Sequence, residues 1–195
     1  IFSQPPLPIK CAGAPQKALY LSCDYWRRQG ILNNINVNFC LAGAAVFGIP
    51  QFVPPLTEYL GKYRAQVNFN HHLIRVDGEK RQATFAVETN EEGKRELTLP
   101  FDMLHVVPPQ SAPAFISQSG LADGAGWCDV DKSTLQHKHW PDIFAVGDCC
   151  STPNAKTLAA ARKQVVVAAE NVAALIQGAP LTAHYDGYEI GRAHV

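Results

Sequence analysis

The stretch Ile143 to Thr157, IFAVGDCCSTPNAKT, constrains the fold of this chain more than any other. An apolar run, Ile143-Phe144-Ala145-Val146, ends in Gly147-Asp148. A polar turn with Pro153 follows, and then a long Ala-rich segment from Ala155 to Gln177. That order predicts a buried strand, a tight turn and a helix. An Asp at the carboxyl end of a parallel strand, beside a helix N-terminus, suits a ligand that carries sugar hydroxyls and phosphate. The carboxylate accepts hydrogen bonds from the hydroxyls, while the first-turn amides and the helix dipole favour the phosphate. Strand-Gly-Asp also occurs in ordinary α/β loops, so the stretch alone leaves both readings open. Lys156 and Thr157 stand at the expected helix start, where a cation and a hydroxyl could meet an anionic or carbonyl oxygen.

Composition bounds the rest. A chain of 195 residues suffices for one large or two small domains. With 47% hydrophobic and 17% charged residues, a packed core is expected rather than disorder. Seventeen basic residues balance 17 acidic ones, and no long basic run occurs, which argues against nucleic acid as the main partner. No apolar stretch is long enough to span a bilayer. The chain opens in an apolar, proline-rich segment without an initiator Met and reads as an internal piece of a longer protein. Its cysteines, at 11, 23, 40, 128, 149 and 150, form no C-x-x-C pair and no zinc-type spacing, so most are expected to be small buried hydrophobes.

Taken in order, the chain begins with a short strand before Pro5-Pro6. A helix is predicted over Gln16 to Gln29, with Pro15 in its first turn and Gly30 ending it. Ile35 to Phe39 alternates as a strand. This is a βαβ unit, but Lys10-Cys11-Ala12-Gly13-Ala14-Pro15 stands where a dinucleotide-binding turn would show G-x-G-x-x-G. The second strand ends in Phe39-Cys40-Leu41-Ala42-Gly43, with no carboxylate to hold an NAD ribose. The topology of an NAD-binding half is therefore expected without its NAD contacts. Cys11 lies just before the helix, between Lys10 and Lys17. Helix dipole and cations favour its thiolate, which predicts a reactive cysteine; a buried cysteine in a tight turn is the plainer reading.

A second helix is predicted over Phe52 to Arg64, then a strand over Val67 to Ile74 holding His71-His72. Adjacent strand residues face opposite ways, so these two histidines cannot ligate one metal from one side. Leu73 to Leu99 reads as strands joined by turns at Asp77-Gly78 and Asn90 to Lys94, and Phe101 to Val107 as a buried strand. A Ser/Pro/Ala/Gly-rich loop, Gln110 to Gly126, marks a candidate domain crossing. Val130 to His137 reads as a short strand and turn, with His137 and His139 as turn or surface residues. The α/β class follows.

Several motifs together resemble one family: K-C-A-G-A-P-Q-K (10–17), F-D-M-L-H-V-V-P-P (101–109), V-D-K-S-T-L-Q-H (130–137), F-A-V-G-D-C (144–149) and A-K-T-L-A-A-A (155–161). They are similar to those of sulfide:quinone oxidoreductase, in the branch that includes the mitochondrial enzyme and its bacterial relatives, from residue 1 to about 188. The resemblance implies part of an FAD flavoprotein with two dinucleotide-binding domains and the fold of disulfide reductases. Residues 1–110 would be the second, NAD-like but degenerate domain, and 111–188 the C-terminal part of the FAD domain. It implies an active-site cysteine at Cys11, FAD contacts at Gly147 and Asp148, and flavin-side positions at Lys156 and Thr157. Sulfide would be oxidised through a cysteine persulfide, electrons would pass through FAD to a quinone, and sulfur would leave to a small-molecule acceptor. Peripheral attachment to a bacterial cytoplasmic or mitochondrial inner membrane is also implied.

Two departures are visible. The N-terminal G-x-G-x-x-G of the FAD domain is absent, and after Tyr188 the family pattern stops at Glu189-Ile190-Gly191-Arg192-Ala193-His194-Val195. One codon choice for 189–195 resembles a common sequencing-adapter read-through, so these residues are expected to be a non-native tail. The chain by itself is then expected to be truncated at both ends, inactive, lacking the partner cysteine, and exposing a former interface. Three rival readings stand beside it: a type-II NADH:quinone oxidoreductase, which should carry a Gly-rich turn at Lys10 to Pro15; a flavocytochrome-type sulfide dehydrogenase; and a non-catalytic α/β piece.

Overall fold

The computed structural model describes residues 1–7, 9–89 and 93–188. The expected non-native tail at 189–195 and most of the charged turn expected at Asn90 to Lys94 lie outside the described residues. The chain divides into two compact units, Ile1–Pro109 and Gln110–Val195.

The first unit is built on a parallel sheet. β1 (Phe2–Gln4) leads to α1 (Gly13–Arg28), β2 (Asn38–Leu41), α2 (Val53–Lys62) and β3 (Gln66–Asn68). The strand order is β1-β2-β3, and Phe2 forms a further parallel bridge with His105 on the other edge of β1. The complete order is therefore β3-β2-β1-His105, the arrangement of a dinucleotide-binding half. Between β3 and His105 the chain makes an antiparallel meander of β4 (His71–Asp77), β5 (Gln82–Thr89) and β6 (Gly93–Pro100).

Period-2 alternation sorts the strand side chains into two layers. Phe39 and Leu41 join Phe2, Leu19, Cys23, Leu60 and Tyr63 in a core beneath the helices. Cys40, between them, points the other way and packs with Ala83, Phe85 and Val87 of the meander. The two helices and the meander thus cover opposite faces of one sheet, as a parallel sheet requires. α1 ends where Gly30 takes a φ of +73°. Gln16 pins α1 to the loop after β2: its Nε2 donates to the Val46 carbonyl at 2.6 Å, and Tyr20 donates to its Oε1 at 3.2 Å.

Several expectations shift. α1 starts three residues before Gln16, because Pro15 is tolerated anywhere in a first turn. The single strand expected over Val67 to Ile74 is two strands in two sheets, β3 and β4. The break lies at Phe69-Asn70, where Asn70 adopts a φ of +57°. Ile74 is the extra residue of a bulge between Leu73 and Arg75, which leaves it exposed. The 101–107 segment is extended but makes only the His105 bridge, and Met103 and Val106 remain 41% and 42% exposed rather than buried. Its apolar run marks a sheet edge with one strand neighbour, which periodicity cannot tell from a central strand.

The second unit has little regular sheet. It contains α3 (Ala114–Ser117), a few isolated bridges and α4 (Leu158–Ile176). The expected loop Gln110 to Gly126 thus includes a short helix. The expected strand at 143–146 is an extended segment with a single bridge, Gln136 to Phe144, since a ladder needs a neighbouring strand and among the described residues of the unit only Gln136 bridges it. Val130 and His137 pair across a turn in which Asp131 accepts the amides of Ser133 and Thr134 at 2.9 and 2.8 Å. α4 begins at Leu158, three residues after the expected Ala155. Thr157 is its N-cap, its side chain accepting the Ala160 amide at 3.2 Å. Along α4, Leu158, Val165, Val172 and Ile176 expose an apolar stripe, with Leu158 at 84% and Ile176 at 80%. Among the described residues no helix is long and apolar enough to cross a membrane.

Phe39 is fully buried at the centre of the first unit. Phe39→Ala should lower the unfolding free energy by about 3–5 kcal/mol in urea titration, whereas Val76→Ala, on the exposed side of β4, should change it by less than about 0.5 kcal/mol.

Candidate functional site

Each unit holds the residues of one of the expected sites. In the first, the chain leaves the carboxyl end of β1 at Gln4 and reaches α1 through Cys11 and Ala12. β1 lies between β2 and the His105 segment, so the strand order reverses here and opens a crevice at the carboxyl ends. Cys11 sits half-buried in the first loop leaving that edge, with Lys10 and Lys17 exposed on either side. Its carbonyl accepts the Ala14 amide at 3.0 Å and so opens the helix. Ala12 at the N-cap offers no side-chain bond to the first turn. Cys11 thus occupies the position of a phosphate-binding glycine turn, with a thiol where a backbone cradle would be.

The other cysteines differ. Burial pushes the thiols of Cys23, Cys40 and Cys128 up to about 11 from 9.0. Cys149 is also pushed up, first by burial and then by Cys150. The Cys149-Cys150 pair is engaged locally: Cys149 Sγ lies 3.4 Å from the Val146 carbonyl, and Cys150 Sγ lies 3.1 Å from the Gly147 carbonyl and 3.0 Å from Thr152 Oγ1.

In the second unit, the extended segment ending at Val146 turns sharply at Gly147, whose φ is +69°. A Cβ there would lie 3.5 Å from Ala161 Cβ on α4, an ordinary contact, so it is the backbone conformation that favours glycine. Gly147–Cys149 forms one 3₁₀ turn, from which Asp148 faces solvent. Thr157 then starts α4. The turn and the helix N-terminus therefore belong to one short loop, an exposed carboxylate at one end and first-turn amides at the other.

Lys156 does something that its place in the sequence does not announce. It is only 8% exposed. Its Nζ donates to the carbonyls of Cys150 at 2.7 Å and Thr152 at 3.0 Å, and it lies 4.8 Å from the centre of the Trp127 ring. The carbonyl partners anticipated for this cation are the protein's own, and they tie the loop to the helix start. His137 is also corrected: it is 3% exposed, not a surface residue. Its Nδ1 accepts the amides of His139 and Trp140, both at 3.1 Å, which puts the ring proton on Nε2, 3.0 Å from the Leu121 carbonyl.

Two buried residues escaped the sequence reading. Gln164, 1% exposed, accepts the Gly147 amide, and Asn171, fully buried, binds the Thr134 and Ala183 backbones. Both lie with Ala160 on the buried face of α4. A polar residue at 3.6-residue spacing within an Ala/Val helix is the signal that could have found them.

No family model matches the chain. It is 39% identical to the mitochondrial sulfide:quinone oxidoreductase of Mus musculus over 188 residues, which is 96% of this chain and 41% of that protein. The chain therefore spans about two-fifths of the length of the curated relatives it matches. The sulfide:quinone oxidoreductase structure from Aquifex aeolicus superimposes with a TM-score of 0.73 at 16% identity, covering 91% of this chain and 44% of that one. The T. acidophilum thioredoxin reductase structure shares the fold with a TM-score of 0.52 at 21% identity, over 73% of this chain and 45% of that one. The α/β class and the resemblance read from the motifs are both borne out.

Iodoacetamide at pH 8 should label Cys11 well ahead of Cys23, Cys40 and Cys128, as peptide mass spectrometry would show; equal labelling would contradict the burial argument. Thiols held near 11 when folded and near 9.0 when unfolded contribute stability that is full below pH 9 and lost as the pH rises towards 11. Urea midpoints should therefore fall across that window.

Proposed function

We propose that this chain is part of an FAD-dependent sulfide:quinone oxidoreductase, with Cys11 as the sulfur-handling cysteine and the Asp148 turn with the α4 N-terminus as part of the flavin site. The observation that carries the reading is the 39% identity to the mouse enzyme over nearly all of this chain, with a half-buried cysteine where an NAD-binding unit would have glycines. On this reading 1–110 is the degenerate NAD-like domain and 111–188 is the C-terminal part of the FAD domain.

The residues of the second unit fit such a cofactor. Asp148 presents a carboxylate able to accept hydrogen bonds from ribityl hydroxyls, and the first-turn amides of α4 with the helix dipole favour a pyrophosphate. Lys156 holds the loop through the carbonyls of Cys150 and Thr152. The flavin, when bound, supplies a two-electron acceptor. The apolar stripe on α4 supports the same reading, since a helix in a larger α/β domain needs a covered face.

The sulfur step is nucleophilic. Hydrosulfide attacks Cys11 Sγ of a disulfide between Cys11 and a second cysteine. A new S–S bond forms on Cys11, the old one breaks, and the second cysteine leaves as a thiolate. Cys11 then carries a persulfide, whose outer sulfur passes to a small-molecule acceptor such as sulfite, glutathione or another sulfide, leaving Cys11 as a thiolate; re-forming the disulfide from the two thiolates would release two electrons, the pair that the bound flavin would accept. Lys10 and Lys17 flank Cys11 and favour approach of the anion. A quinone as the final electron acceptor and peripheral membrane attachment belong to the same proposal. The NADH-oxidising alternative is disfavoured by Lys10 to Pro15, which lacks the glycines that let a backbone approach a pyrophosphate.

The test is anaerobic flavin absorbance of the protein encoded by the complete gene. Sulfide should bleach it, and Cys11→Ser should abolish the bleaching. Bleaching by NADH alone would overturn the proposal.

A further inference from the structure

We infer that Gln164 is a positioning residue for the flavin-binding turn: it holds the Gly147–Asp148 backbone through α4 without touching the ligand. The inference rests on the flavin reading of that turn.

Gln164 lies in the middle of the buried polar cluster of the second unit. Its Oε1 accepts the Gly147 amide at 2.7 Å, the shorter side of the range for such bonds. Its Nε2 donates to Thr152 Oγ1 at 3.2 Å and to Asn154 Oδ1 at 3.4 Å. One amide therefore grips both ends of the 147–154 loop. The Gly147 carbonyl is held as well, by the Cys150 amide at 3.4 Å and Cys150 Sγ at 3.1 Å. With both peptide groups of Gly147 fixed and its φ at +69°, the direction in which Asp148 leaves the turn is set by a side chain 17 residues away.

A residue that only filled the core would need shape alone. A buried primary amide is a poor filler, because each unmatched donor or acceptor forfeits the hydration it had in water. Both ends of Gln164 are matched to one loop, and that loop bears the exposed carboxylate. The physical consequence is pre-organisation: the ligand does not have to order the turn when it binds. Removal of Gln164 should weaken flavin binding only as far as Asp148 makes use of that order.

The experiment is a double-mutant cycle on FAD affinity, with the deflavinated protein from the complete gene titrated by flavin fluorescence. Gln164→Met should weaken FAD binding about tenfold or more in the native background and less than about twofold in the Asp148→Ala background. Thr152→Val, which removes one Gln164 partner and spares the Gly147 bond, should act in the same direction with a smaller effect, and it serves if Gln164→Met fails to fold. Equal losses in both backgrounds, or an unchanged affinity, would overturn the inference. Backbone exchange of the Gly147 amide in the apoprotein separates the two levels. If Asp148→Ala leaves FAD binding unchanged, the flavin reading of the turn falls and the inference falls with it. Accelerated Gly147 exchange in Gln164→Met would show in that case that the latch itself is present.

Discussion

The second unit depends on buried side chains that satisfy backbone. It has almost no ladder of its own, so the extended segment at 143–146, the turn at Gly147 and the loop to Thr157 must find partners elsewhere. Lys156, Gln164 and Asn171 supply them. Lys156 closes the Cys150 and Thr152 carbonyls, Gln164 takes the Gly147 amide, and Asn171 clamps Thr134 to Ala183. Two of the three project from one face of α4, so the helix orders a segment that pairing does not. A buried ammonium is tolerated because carbonyl dipoles and the Trp127 face replace part of its hydration.

The first unit is stabilised differently. Regular parallel pairing closes its backbone, and alternation along β2 divides apolar side chains between the helical layer and the meander. Its strand order opens a crevice beside the first βα loop, as in a nucleotide-binding half, but the loop carries Lys-Cys-Ala-Gly-Ala-Pro. The same strand order can thus carry a loop that cradles phosphate or, as here, one that holds a thiol. The two units thus hold their candidate residues in two ways: a half-buried cysteine set in a loop at the edge of a regular sheet, and an exposed carboxylate on a turn held by a polar network.

Much of this was legible in the residues. Apolar periodicity identified both long helices and the meander, and the motifs around Cys11 and Gly147-Asp148 carried the resemblance. The misses share a cause. Phe69-Asn70 divides one apolar run between two sheets, and the runs at 101–107 and 143–146 have one bridge each, because pairing partners are long-range and period says nothing of them. The reading of His137 as a turn or surface residue fails because its partners are not visible along the chain. Its burial arises from two amides and a carbonyl brought from other parts of the loop.

The sequence by itself determined the α/β class, the missing dinucleotide glycines, and which residues stand as candidates at the two loops, since these are matters of local pattern and residue type. Only the tertiary structure decided what those groups do for the fold. It turned Lys156 from a free cation at a helix start into a clamp on two carbonyls, and it joined Gly147 to Gln164 across half of α4. The physical reason is that a buried polar atom must be matched, and its match is chosen by proximity in space rather than along the chain.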